Sequence, residues 1–224
     1  MLTLEQPSAA AQVQATTPPP DQRLLGWLGK ANLLAIRLPG IDPDRWLDAT
    51  YPLVRPLFTR AAAFLGALLI FAAILLVTLR FEAFLERLPE RNAFFTPQTL
   101  LWLAGALAVV KVLHELAHAY ACKHFGGACH ELGVMLLVFV PCLYCNVSDS
   151  WLLARRRERM LITGAGILME LFLAAVATFV WWWAVDGPVR MAALSVMLVG
   201  SVSTILLNGN PLLRYDGYYL FSDF

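Results

Sequence analysis

Residues 61–79 read AAAFLGALLIFAAILLVTL, and this stretch decides the fold class. Its nineteen residues carry no charge, and Arg60 and Arg80 bracket them. A helix rises about 1.5 Å per residue, so the run has the length that a helix needs to cross a hydrocarbon core of about 30 Å. The stretch therefore predicts a transmembrane helix.

The composition of the whole chain agrees with a membrane protein. Of the 224 residues, 59% are hydrophobic and 15% are charged, whereas soluble domains carry about 25% charged and about 45–50% apolar residues. These values exclude a disordered chain, a disulfide-stapled small protein and an ordinary cytosolic domain. The formal net charge is only +1, without the excess of Lys and Arg that nucleic-acid-binding proteins carry, so we expect no nucleic-acid partner.

Composition divides the chain into three parts. Residues 1–20 are rich in Ala, Gln, Thr and Pro and predict a disordered lead-in. Residues 21–60 mix charges with Leu, Ile and Trp, which predicts a segment on the membrane surface or, equally, a small cytoplasmic cap. Residues 61–224 are predicted to form a membrane-embedded core.

The core is predicted to hold about four transmembrane helices separated by charged connectors. They are expected at about 61–79, 99–122, 160–183 and 191–207. Residues 132–147 are apolar but short and contain Pro141, so they fit a re-entrant segment or a β-hairpin better than a full crossing. The predicted fold class is an all-α polytopic membrane protein with this one additional segment.

The cluster RRRER at 155–159 sets the predicted orientation. Short loops rich in Lys and Arg stay on the cytoplasmic side, so the cluster and the N-terminal region are both expected there. With four spans, the ends of the second and fourth spans then face the same side of the membrane. Polar residues at these two ends can therefore meet.

Residues 114–118 read HELAH and interrupt the second apolar run. An ionisable side chain at mid-bilayer costs about 2.5–3.5 kcal/mol on insertion scales, so it needs a partner or a function. His114 and His118 are four residues apart, project from one helix face and can bind one metal ion. Glu115 lies where it can accept a proton from an activated water. The motif predicts a zinc hydrolase.

Zinc hydrolases use three protein ligands, so a third must come from elsewhere in the chain. Asp216 is the best candidate, because it lies in the helix-breaking stretch NGNPLLRYDG (208–217) and approaches from the same side as the histidines. Zn²⁺, two neutral imidazoles, Asp216 and Glu115 together form a near-neutral cluster, which a low-dielectric site favours. The other candidates are Glu170, Asp149, Cys122, His124 and His130.

Other interpretations compete with a zinc hydrolase. The histidines can be hydrogen-bonded inside a bundle, and a membrane di-iron site needs more ligands than the four histidines of this chain supply. A non-catalytic subunit of a secretion or efflux complex can retain a structural zinc site, although such a site needs no base at Glu115. Cys142 and Cys145 favour packing over a second metal site with Cys122 and Cys129.

With these residues, the chain resembles the site-2 protease family of intramembrane zinc metallopeptidases. That family carries H-E-x-x-H, then G-x-x-x-N/S/G, then N-x-x-P-x-P-x-L-D-G. Residues 114–118 match the first element, Gly166 matches the second at its glycine alone, and 208–217 match the third at its Asn, first Pro and Asp-Gly. Residues 210–219 further resemble a bacterial branch of longer members linked to membrane-fusion-type secretion partners.

The resemblance implies peptide-bond hydrolysis within or beside the bilayer, with Zn²⁺ as the cofactor. His114, His118 and Asp216 are then the metal ligands and Glu115 is the base. Asn208 is expected to donate to the oxyanion or hold the substrate strand, or else to cap the broken helix end.

Glu170 departs from the family pattern, which has a small or amide residue at this position. Three roles are equally open for it: a hydrogen-bond partner that supports a metal ligand, an acid in the substrate cleft, or a partner of Lys111 or another buried donor.

The expected partners are a membrane protein or peptide substrate, the lipid bilayer and a membrane-fusion-type secretion protein. The expected location is the bacterial inner membrane, with several crossings and a cytoplasmic N-terminus. Because the chain stops eight residues after Asp216, inside the helix expected there, we expect it to be part of a longer enzyme.

Overall fold

The computed structural model describes residues 35–90, 94–137 and 140–222. The predicted lead-in at 1–20 and the first part of the 21–60 segment lie outside these residues. The chain divides into two compact units. The smaller contains residues 35–38 and 134–142, and the larger contains residues 39–133 and 143–224.

The described helices follow one another along the larger unit. They are α1 (Asp44–Val54), α2 (Arg60–Leu79), α3 (Phe81–Arg87), α4 (Pro97–His124), α5 (Arg156–Trp183), α6 (Pro188–Ser203) and α7 (Asp216–Ser222). Short 3₁₀ turns cover Arg55–Phe58 and Ser148–Leu152, and a π-helical turn, Thr204–Asn208, continues α6.

Four of these helices are long and apolar enough to cross a membrane: α2, α4, α5, and α6 with its π-helical turn. Each covers a predicted span and extends it by one to four residues. Side-chain caps contribute to these bounds, because the Thr59 hydroxyl accepts from the Ala62 N–H (3.2 Å) and the Thr96 hydroxyl from the Thr99 N–H (3.3 Å). The expectation of a helical protein with about four such helices is confirmed.

The 132–147 segment forms strands. They are β2 (Leu132–Leu137) and β3 (Val140–Cys145), which are neighbours in the sheet and separated by two residues, so they run antiparallel. A short strand, β1 (Ala35–Arg37), pairs antiparallel with β2, with Ile36 opposite Leu136. The sequence did not predict β1.

Small residues allow α5 and α6 to pack closely. A Cβ at Gly200 would lie 2.9 Å from the Glu170 carbonyl oxygen and 3.2 Å from the Ala174 Cβ. Ala177 of α5 and Ala193 of α6 are buried in the same core, around Trp181. This packing brings polar groups of the two helices together in the interior.

Helix α1 packs against the last turns of α4. Leu47 is fully buried there, and the Thr50 hydroxyl lies 2.7 Å from the Tyr120 hydroxyl. Lys123 forms ion pairs with Asp44 (2.9 Å) and Asp48 (2.7 Å). These contacts fix the end of the helix that carries the histidines.

Candidate metal centre

Helix α4 presents His114 and His118 on one face, as their spacing of four residues predicts. Both side chains are buried, with 4% and 6% of the residue exposed. Their Nε2 atoms lie 3.1 Å apart, and the rings meet edge to face. The helix alone therefore places the two Nε2 atoms close enough to bind the same ion.

The third potential ligand comes from the segment that follows α6. The π-helical turn ends at Asn208, and Asp216 opens α7. Asp216 Oδ2 lies 3.0 Å from His114 Nε2 and 3.2 Å from His118 Nε2. Asp216 is therefore placed to supply a carboxylate oxygen to the same point as the two imidazoles.

The triangle of ligand atoms fits zinc. Tetrahedral coordination with bonds of about 2.0–2.1 Å places neighbouring ligand atoms about 3.3 Å apart, and the observed separations are 3.0, 3.1 and 3.2 Å. Within residues 35–90, 94–137 and 140–222, this is the group of three or more potential ligands close enough to hold one ion. Its two neutral nitrogens and one carboxylate are a donor set typical of zinc.

Groups behind the histidines orient the rings. His118 Nδ1 lies 2.7 Å from the Ile162 carbonyl oxygen. Since a carbonyl only accepts, Nδ1 carries the hydrogen, which leaves Nε2 with its lone pair toward the centre. His114 Nδ1 lies 3.1 Å from Glu170 Oε1, an ion-pair distance at which the ring N–H is not aligned for a hydrogen bond.

Gly166 on α5 leaves room for both rings. A Cβ at this position would lie 2.5 Å from His114 Nε2 and 2.5 Å from His118 Nε2, in the space between the ligand nitrogens. Only a residue without a side chain fits here. The glycine match to the family signature thus coincides with a steric requirement of the centre.

Glu170 is fully buried. Its carboxylate lies beside His114 and pairs with Lys111, which are the contacts that two of its three predicted roles need, and the role as an acid in the substrate cleft stays a prediction. Its contacts are Lys111 Nζ (2.8 Å), Asn208 Nδ2 (2.7 Å), Thr204 Oγ1 (2.7 Å), Ser203 Oγ (3.4 Å) and His114 Nδ1 (3.1 Å).

Asn208 makes contacts that the sequence did not predict. Its side-chain nitrogen donates to Glu170 and lies 3.4 Å from Ser203 Oγ, and the residue is buried. Its expected roles at an oxyanion, at a substrate strand or at the broken helix end stay predictions.

Glu115 is half-buried beside His114. Its carboxylate makes no hydrogen bond or ion pair with any of the residues that the structure describes. A carboxylate next to a cation site and free of partners can accept a proton.

The remaining ligand candidates have partners elsewhere. Asp149 accepts from the Ala128 N–H (3.1 Å), and the Cys122 thiol lies 3.7 Å from the Ala128 carbonyl oxygen. His124 Nδ1 lies 2.7 Å from the Tyr51 hydroxyl, and His130 is exposed, 4.0 Å from Asp42. None of the four belongs to the group around Asp216.

Sequence reasoning named Lys111 as a possible partner of Glu170 but missed Ser203 and Thr204. Lys111 gave a signal, because it is a charge inside an apolar run. Ser203 and Thr204 gave none, since hydroxyl residues are common in membrane helices, and Thr204 begins a π-helical turn that the sequence did not predict.

Comparison with known proteins gives one distant relative. The chain is 29% identical over 108 residues to a Bacillus subtilis (strain 168) protein named "Putative peptide zinc metalloprotease protein YydH". The match covers 48% of this chain and 41% of that protein, so the chain spans less than half of the relative's length. No family model and no solved structure matches the chain.

Proposed function

We propose that this chain is the membrane-embedded catalytic part of a zinc metallopeptidase that resembles the site-2 proteases. The observation that carries the proposal is the triangle of His114 Nε2, His118 Nε2 and Asp216 Oδ2, with no side longer than 3.2 Å. The relative's name, a peptide zinc metalloprotease, agrees with this assignment.

His114, His118 and Asp216 would hold the ion. Zn²⁺ bound there supplies a Lewis acid that activates water and polarises a peptide carbonyl. Glu115 follows the first ligand in sequence and has no partner among the described residues, so it would accept the proton of the attacking water and donate it to the leaving amine.

Glu170 would act through His114. Its carboxylate beside Nδ1 favours a hydrogen on that nitrogen, which keeps the Nε2 lone pair toward the ion. Lys111 in turn forms an ion pair with Glu170 and neutralises its charge. Both are positioning residues, since neither reaches the proposed reaction centre.

The depth of the centre supports cleavage inside or beside the bilayer. His114 lies ten residues before the end of α4, and Gly166 lies ten residues after the start of α5. At about 1.5 Å per residue, the centre is about 15 Å from that end of the bundle, roughly half of a hydrocarbon core. A segment of a membrane protein or membrane-bound peptide is the proposed substrate.

The apolar, exposed surface of α2 fits a lipid environment, for example at Phe64, Leu65 and Phe71, which are 68%, 62% and 61% exposed. We propose a multi-pass location in the bacterial inner membrane, with the N-terminus and residues 155–159 cytoplasmic. A membrane-fusion-type secretion protein is the proposed partner, on the resemblance of residues 210–219.

A cleavage assay with Glu115→Gln tests the reaction. The protein is reconstituted in liposomes with labelled peptides that each carry one apolar span. We expect the variant to bind as much zinc as the wild type and to cleave about 10²–10⁴-fold more slowly, the usual loss for a missing general base. Glu82→Gln, at an exposed position on α3, is the matched control and keeps full activity.

Equal cleavage by Glu115→Gln and wild type would remove Glu115 as the base. Zinc-loaded wild type that cleaves none of the peptides would favour the alternative, a non-catalytic subunit with a structural zinc site.

A further inference from the structure

Two cysteines outside the metal centre lie in contact. Cys129 is in the loop after α4 and is fully buried, and Cys145 is the last residue of β3 and is half-buried. Their sulfur atoms are 2.9 Å apart. Neither the proposed catalysis nor the sequence motif at 142–145 accounts for this contact.

Neighbouring bonds hold the two segments together. The Asn146 N–H donates to the Glu131 carbonyl oxygen (2.8 Å), and the Tyr144 hydroxyl donates to Glu131 Oε1 (2.5 Å). On the other side, the Cys129 N–H donates to Asp44 Oδ1 (3.2 Å). The sulfur contact therefore lies between backbones that other bonds already fix.

The other two cysteines do not compete for this pairing. The Cys122 thiol points to the Ala128 carbonyl oxygen at 3.7 Å. Cys142 lies three residues before Cys145 on the same strand, and residues an odd number apart on a strand point to opposite faces. The spacing of the C-x-x-C motif is thus misleading, because its second cysteine meets Cys129.

We propose that Cys129 and Cys145 are a disulfide-forming pair that exchanges with small-molecule disulfides. One protein thiolate attacks a sulfur of the small disulfide, which forms a mixed disulfide and releases one small thiolate. The second protein thiolate attacks the protein-bound sulfur and releases the other small thiolate. The two protons lost by the cysteines end on the two released thiols, so a dithiol is oxidised and a disulfide is reduced.

Little movement is needed for the bond. The sulfur atoms must approach from 2.9 Å to about 2.0 Å, the length of a disulfide. The contact between the two thiols lowers the pKa of Cys129 and raises the pKa of Cys145, so Cys129 is the thiol of the pair that ionises first. In the proposed orientation this end of α4 is cytoplasmic, where thiols are kept reduced, so the dithiol is the resting form.

Peptide mapping of the purified chain in detergent tests the pairing. The folded protein is treated with oxidised glutathione, remaining thiols are blocked with a maleimide, and the digest is analysed without reduction. We expect a cross-linked peptide joining residues 129 and 145, and two of the four cysteines alkylated. Cys142→Ser keeps the cross-link, and Cys129→Ser abolishes it.

A wild-type digest with all four cysteines alkylated would overturn the proposal. So would a cross-link that uses Cys142 or Cys122, or one that forms only between two chains. Zinc content measured on the same samples separates this proposal from the proposed function, because the metal centre has no sulfur ligand and is expected to keep its ion after oxidation.

Discussion

A carboxylate with no exposed surface, such as Glu170, stays ionised inside an apolar bundle only when other groups neutralise and solvate it. Lys111 provides the charge, and hydroxyl and amide groups at the end of α6 provide hydrogen bonds. With zinc bound, the formal charges of the ion, Asp216, Glu115, Glu170 and Lys111 sum to zero. A glutamate at position 170 is therefore expected to depend on the charge of Lys111.

This dependence predicts the outcome of a double-mutant cycle. Lys111→Met leaves the fully buried Glu170 unpaired and is expected to cost about 3 kcal/mol of unfolding free energy. Glu170→Gln is expected to cost less, because the side chain of Lys111 is 25% exposed. The double variant recovers most of the loss in thermal unfolding measured in detergent. Additive losses would contradict a coupled pair.

Two glycines that lie two residues apart in α5, and so on different faces of the helix, give a pair of variants. Gly166→Ala places a Cβ 2.5 Å from both ligand nitrogens and is expected to weaken zinc binding about 10- to 100-fold, the usual range for disturbed ligand positions. Gly164→Ala is the control, since its Cβ would meet Leu220 Cδ1 at 3.9 Å, an ordinary contact. Competition with a chromophoric chelator measures both affinities, and equal values would contradict the steric role of Gly166.

At the scale of elements, the end of α6 completes the centre. The π-helical turn directs Thr204 and Asn208 inward, and the chain then returns so that Asp216 meets the histidines. The return is tight, because a Cβ at Gly217 would lie 2.6 Å from the Gly209 carbonyl oxygen and 2.9 Å from that of Asn208. Backbone atoms cannot rotate away as a side chain does.

Gly217→Ala is therefore expected to displace the start of α7 and Asp216 with it. We expect a loss of about 1–3 kcal/mol of unfolding free energy, typical of overpacking, together with loss of zinc. Gly105→Ala on α4 is the control, since its Cβ would meet nothing within 4 Å. Thermal unfolding and metal analysis of both proteins check the expectation, and a Gly217→Ala protein with full zinc would refute it.

The elements that depend on local sequence were predicted well. Long apolar runs determine α2, α4, α5 and α6, and the histidine spacing determines which face of α4 carries the two candidate ligands. The pairing of β1 with β2 and the surroundings of Glu170 were not predictable in this way. Both join residues far apart in the chain, and the register that brings them together depends on packing of the whole bundle.

At the scale of the molecule, the proposed orientation rests on the distribution of charge. The cluster at 155–159 is expected on the cytoplasmic side and the connector containing α3 on the opposite side. Alkaline phosphatase fused after Leu88 is expected to be active and the same reporter fused after Ala154 inactive, with a fluorescent-protein reporter giving the reverse. The opposite pattern would invert the proposed topology.

The metal content of the detergent-purified protein tests the zinc centre most directly. We expect one zinc per chain in the wild type, and the same in His130→Ala, whose side chain is exposed and distant from the group around Asp216. Asp216→Ala is expected to lose most of its zinc, because two imidazoles alone leave the ion without its charged ligand. Equal zinc in the wild type and Asp216→Ala would contradict the proposed centre.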